Sequence, residues 1–154
     1  MIYAGTGHRP DKLGGYGNIA MERVFNCIME NIPKDCTEII SGMALGFDTQ
    51  LAKAAIAKKI PFIAAVPFYG QESKWPSYAQ KEYRDILRKA QRVVMVCPGG
   101  YSPSKMQVRN EYMVDSADKV LALWNGTPGG TANCLTYALS KNKPVLNIWD
   151  TFQR

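Results

Sequence analysis

Three stretches of this 154-residue sequence join glycines to groups that bind anions. They are Gly5-Thr6-Gly7-His8-Arg9-Pro10, Ser41-Gly42-Met43-Ala44-Leu45-Gly46-Phe47-Asp48 and Pro128-Gly129-Gly130-Thr131-Ala132-Asn133. Glycine allows a tight reversal and a close backbone approach, and the free N–H groups of a helix start attract negative charge. A guanidinium fork matches phosphate oxygens two at a time, so Arg9 and Arg109 are the first candidates for phosphate contact. Ser41 and Thr131 can add hydroxyls, although both are also ordinary turn residues. His8, the only histidine, can donate to a phosphate or cap the first turn, and no partner acid is visible that would make it catalytic.

Aromatic faces hold flat rings, which makes Phe68, Trp75, Tyr101 and Trp124 candidates to stack on a base. Trp124 ends an apolar run and reads first as core, whereas Trp75 stands in a polar loop beside Lys74, where a ligand contact is the stronger reading. Neither common nucleotide signature is present: there is no G-x-x-x-x-G-K-[ST], and Gly5-x-Gly7 lacks the third glycine of the dinucleotide fingerprint. Cys27, Cys36, Cys97 and Cys134 have no metal-knuckle or redox-pair spacing and read as reduced thiols, so neither a metal nor a cofactor is expected.

These residues need a scaffold, and the sequence alternates strand and helix signals throughout. Strands are expected at 2–5, 37–40, 62–66, 92–97, 119–123 and 144–149. Helices are expected at 18–31 with Asn18 as cap, at about 48–59, from Pro76 to about 90, at about 105–116 and at about 131–142. Apolar strands alternating with helices mean an α/β, Rossmann-like three-layer sandwich with a mostly parallel sheet of about six strands. In such a sheet ligands sit at the carboxyl ends of the strands, where the three glycine-rich turns fall. Any one of them is explained by a tight reversal; three on one edge point to a phosphate-bearing ligand.

The composition, 46% hydrophobic and 21% charged, is that of one ordinary globular domain. No basic start leads into a long apolar run, and the apolar runs are too short to span a bilayer, so a cytoplasmic protein without a membrane partner is expected. The net charge of +6 invites nucleic acid, but the lysines are dispersed and several stand where helices end. A homo-oligomer is expected; nucleic acid is possible and not favoured.

Taken together, Gly5 to Pro10, Ser41 to Asp48 and Gly129 to Asn133 resemble the SLOG superfamily, and most closely its YspA/YpsA-like branch, often found in Gram-positive bacteria and their phages. The resemblance spans nearly the whole chain. It implies a Rossmann-like fold that binds a nucleotide or nucleotide derivative, in some members as an enzyme and in others as a sensor. LOG-type phosphoribohydrolases in this superfamily use an Arg from M-H-x-R-K and a Glu from P-G-G-x-G-T-x-x-E. Met106-Gln107-Val108-Arg109-Asn110 is similar to the first motif, and Cys134 stands where the second has its Glu. Without that carboxylate, Glu111 and Asp48 are the remaining candidates to assist glycosidic cleavage. A likeness to the DNA-processing protein DprA, in Ser41-Gly42 through Asp48 and in Arg109-Asn110, implies single-stranded DNA as another ligand. Asp48 can hold a ribose hydroxyl or cap a helix, and Asn133 can read a base or sugar or cap. The expected site is therefore Gly5 to Arg9, Ser41 to Met43, Gly46, Asp48, Gly129 to Thr131 and Asn133, with Phe68, Lys74, Trp75, Arg109, Asn110 and Trp124, in a sensor or sequestering protein.

Overall fold

Apolar runs bounded by turn residues become the strands of one sheet. In the computed structural model, which describes residues 1–153, these are β1 (Ile2–Gly7), β2 (Glu38–Ser41), β3 (Phe62–Val66), β4 (Arg92–Met95), β5 (Lys119–Leu123) and β6 (Val145–Asn147). Their order is β4-β3-β2-β1-β5-β6. All five pairings are parallel, so the sheet is fully rather than mostly parallel. The chain steps outward from β1 to β4 and then returns to the other side of β1 for β5. That reversal puts the switch in strand order between β1 and β5, where an open α/β sheet has its crevice.

The connecting helices are α1 (Asn18–Asn31), α2 (Phe47–Ala57), α3 (Ser77–Lys89), α4 (Pro103–Asp115) and α5 (Gly130–Ser140), followed by a short α6 (Trp149–Gln153). Side chains alternate across a strand, so neighbouring residues serve opposite layers. Tyr3, Ile39 and Phe62 pack with Val24 and Ile28 of α1, Phe47 and Leu51 of α2 and Ile86 of α3. Ala4, Ile40 and Ile63 face the other way, onto Met113 of α4. Val120 and Ala122 meet Val114 of α4 and Leu135 of α5.

Several expected boundaries shift. β1 runs two residues further than 2–5, to Gly7, because Thr6 and Gly7 stay in register with Ala122 and Leu123 of β5. Asn18 is the first helical residue; Gly17 is the N-cap and no side chain caps it. α4 begins at Pro103, whose missing N–H is not needed at a helix start. The last strand is shorter than 144–149, since Trp149 opens α6, packs on Phe152 and leaves the sheet.

Gly5 and Gly7 owe their identity to packing. A Cβ on Gly7 would collide with the ring of Phe47, and one on Gly5 with Leu51. Phe47 is fully buried and cannot swing away, so Gly7→Ala overpacks a closed interface. We expect it to lower stability by about 1–3 kcal/mol, read as a lower urea midpoint with an unchanged m-value.

Candidate functional site

A cleft of about 270 Å³ opens at the carboxyl ends of β1 and β5. β1 and the turn after it contribute Gly5 to Arg9, then Asp11 and Lys12. Ala44 and Asp48 come from the start of α2, and Met106, Arg109 and Asn110 from α4. Pro128 to Thr131 complete it at the N-terminus of α5. Four segments distant in sequence thus meet at the switch point of the sheet.

Arg109 is only 5% exposed. Its Nη1 donates to the carbonyls of Gly42 (2.6 Å) and Ala65 (3.3 Å), and Nε donates to Asn110 Oδ1 (2.9 Å). Among the described residues Nη2 meets only the weakly accepting sulfur of Met106 at 3.9 Å, which leaves hydrogens for the cleft. Most of this guanidinium is therefore structural. Burial lowers its pKa from the ordinary arginine value, against the opposing influence of Asp48.

Asp48, 8% exposed, is the buried carboxylate of the cleft. Its Oδ2 accepts the Ala44 N–H at 3.3 Å, and Oδ1 has no partner among the described residues. Burial raises its pKa above the usual carboxylate range, which Arg109 and the Ala44 N–H offset only in part. The N-cap of α2 is Gly46, so Asp48 lies inside the first turn and is not the cap. His8 Nε2 lies 2.7 Å from Asn125 Oδ1 and 3.0 Å from the Asn125 backbone nitrogen. Asn125 Oδ1 also accepts from Thr127, whose hydroxyl receives Lys12 Nζ at 2.9 Å. Burial lowers the His8 pKa. The ring thus ties the β1 turn to the β5 turn.

The other expected site residues divide. Ser41 is wholly buried; its hydroxyl donates to Asp48 O (2.9 Å) and accepts the Met43 N–H (3.2 Å), which leaves it no role at the cleft surface. Met43 is core, and Gly42 sits where a Cβ would lie 2.5 Å from Arg109 Nη1. Gly46 presses against the His8 carbonyl, 2.7 Å from where its Cβ would be. Phe68 is buried edge-on to Tyr101, and Trp75 edge-on to Tyr83, so both are packing residues; neither they, Tyr101 nor Lys74 line the cleft. Trp124 donates its indole N–H to Thr127 O and packs with the α5 layer. Asn133 faces solvent outside the cleft. Glu111 accepts from Gln107 on α4 and does not reach the cleft. Cys134 lies buried behind it, its thiol pushed up to about 11 by burial. Sequence reasoning did not place Asp11 and Lys12 in the site; Pro10, which opens the short 3-10 turn that carries both, was the available signal.

Gly129 and Gly130 differ from Gly5, Gly7, Gly42 and Gly46: a Cβ on either would meet nothing within 4 Å, as is also true of Gly126 just before them. Gly129 has φ +143, which disfavours a side chain. Gly130 has no such need. Next to it, Thr131 is 9% exposed, and its hydroxyl has no partner among the described residues.

The family model described as the YspA SLOG family matches residues 4–147. The chain is 36% identical over 115 residues to the SPbeta prophage-derived protein YoqJ of Bacillus subtilis, covering 64% of this chain and 67% of that protein. It is 31% identical over 112 residues to a UPF0398 protein of Halalkalibacterium halodurans, covering 68% of this chain and 59% of that one. Two solved structures share its fold. DprA of Streptococcus pneumoniae superposes with a TM-score of 0.67 at 20% identity, over 94% of this chain and 48% of DprA. Helicobacter pylori DprA, described for its single-stranded DNA binding mode, gives 0.65 at 18% identity, over 94% and 63%. The chain thus spans about half of one DprA and under two thirds of the other.

The raised pKa of Asp48 has a consequence for stability. The folded state holds this proton more tightly than the unfolded chain, so the carboxylate costs stability as pH rises from about 3.8 through its higher folded value. Asp48→Asn removes that cost. The melting temperature of the variant minus that of the wild type should grow between about pH 4 and pH 7; a difference flat across this window would contradict the burial effect.

Proposed function

The chain belongs to the YspA SLOG family, and from that membership and the geometry of the cleft we propose that it binds a nucleotide or nucleotide-derived ligand there, as a sensor or sequestering protein. Gly130 carries this reading. Four turn glycines are explained by what a Cβ would strike inside the fold, whereas Gly130 faces open cleft beside the unpartnered Thr131 hydroxyl at the start of an 11-residue helix. A backbone kept bare at a helix N-terminus suits close approach of a phosphate. Arg9 is exposed on the cleft rim and Lys12 lies beside it, supplying cations that are not needed by the core.

Single-stranded DNA is the second reading, favoured by the DprA likeness and the net charge of +6. The cleft sets Arg9, Lys12 and Arg109 against Asp11 and Asp48, which suits a small ligand better than a run of phosphates. Glycosidic hydrolysis would have to run through Asp48 or Asp11, since Cys134 and Glu111 lie outside the cleft.

Gly130→Val separates binding from folding. We expect an unchanged or higher melting temperature, because glycine in a helix is destabilising by about 0.5–1 kcal/mol relative to alanine and the site has room. We also expect loss of binding to nucleoside 5′-monophosphates in calorimetric titration. Arg9→Ala should weaken the same binding about tenfold or more, the value of a charge-assisted hydrogen bond. Unaltered affinity in Gly130→Val would remove the proposal's support. Tight, length-dependent and salt-sensitive oligonucleotide binding would replace it with the DNA reading, and release of free base with the hydrolase reading.

A further inference from the structure

Beyond the phosphate end of the cleft lies a polar group that the fold leaves unfinished. Asp48 is only 8% exposed, yet of its two carboxylate oxygens Oδ2 alone has a partner, the Ala44 N–H, and Oδ1 opens on the cleft. Among the described residues every side-chain polar atom that the fold closes off has a hydrogen-bond partner, so Oδ1 is not sealed in but stands accessible to a donor that enters the cleft. An anionic phosphate would be repelled here, so it belongs at Gly130, Thr131 and Arg9, and the group that reaches Asp48 must be a neutral donor attached close to that phosphate. In a nucleotide the nearest such donors are the ribose hydroxyls. A base is a weaker fit, because the lining of the cleft of about 270 Å³ has no Phe, Tyr or Trp, and its one aromatic ring, His8, is engaged by Asn125. The acidic residue that binds ribose in dinucleotide-binding folds uses the same chemistry.

We infer that Asp48 is the specificity-determining residue of the cleft, accepting a hydrogen bond from a free ribose hydroxyl and so selecting ribonucleotides over ligands that lack one. The inference rests on the nucleotide reading and goes further than it. An internal DNA nucleotide carries no free sugar hydroxyl, so the same contact disfavours a DNA strand.

The test compares the four ribonucleoside 5′-monophosphates with their 2′,3′-dideoxy counterparts, by calorimetry on the full chain, with inorganic phosphate as a third probe. For the wild type, the ribo form of whichever nucleotide binds should be roughly 10- to 100-fold tighter, as expected for a hydrogen bond to a charged group. In Asp48→Asn, whose side-chain oxygen can still accept the Ala44 N–H, that ratio should collapse toward one. Equal affinity of ribo and dideoxy forms for the wild type overturns the inference and leaves the nucleotide reading standing. So does selection among bases without selection at the sugar. Binding of phosphate but of no nucleotide also overturns it, and binding of none of the three probes overturns both readings. The wild-type comparison stands even if the variant fails to fold.

Discussion

A guanidinium that is 5% exposed can persist only where its hydrogens find acceptors, and the site is organised around that demand. Arg109 reaches from α4 to the carbonyl of Ala65 in β3 and that of Gly42 just past β2. Gln71 Nε2, from the loop after β3, donates to the same Gly42 carbonyl at 3.2 Å. Two donors on one carbonyl hold the β2–α2 turn in place, and the next residue, Met43, takes φ 61 and buries its side chain. Glycine is needed at position 42 because a Cβ would occupy the space of the guanidinium. The cleft wall formed by Met106, Arg109 and Asn110 follows from this anchoring of α4.

The glycines of the three turns consequently do different work. Gly5, Gly7 and Gly46 let α2 lie hard against β1, with the Phe47 N–H donating to the His8 carbonyl at 3.2 Å. That approach draws the first two turns together. The third is drawn in by side chains, through His8, Asn125, Thr127 and Lys12. Only Gly129 and Gly130 remain without an internal neighbour. Motifs that look alike in sequence therefore separate into scaffold and open surface once the positions a Cβ would occupy are known.

The layer architecture was legible because strand-length apolar runs and turn residues are local signals, and the SLOG likeness in the three turns agreed with the family match. The meeting of those turns also followed, since the carboxyl ends of parallel strands share one edge. What sequence could not show was the direction of individual side chains. Ser41 and Trp75 look like surface residues by type and neighbourhood, yet one hydrogen-bonds the backbone beneath the turn and the other packs on Tyr83. Arg109 was read as a phosphate ligand because its type allows it; that two main-chain carbonyls compete for it is a tertiary fact. Glu111 and Asp48 were equivalent carboxylates in sequence, and helical phase alone sends Glu111 away from the face that carries Arg109.

Charge placement narrows the physics of the cleft further. Some of the chain's cations are engaged elsewhere: Lys53 pairs with Glu82, Lys119 with Asp35, and Arg88 and Lys89 stand in the last turn of α3. Within the cleft the cations Arg9 and Lys12 lie on the rim after β1, while Asp48 and the constrained Arg109 lie deeper. The exposed Asp11 stands between these two cations, so the rim is mixed in charge with a net positive balance, and any field it sets up is screened by salt. On the proposed reading, a ligand joining phosphate to a nearby hydroxyl would match both the cations of the rim and Asp48, whereas phosphate alone would match only the rim. A buried acceptor left unpaired by the wrong ligand discriminates more sharply than an added hydrogen bond to the right one.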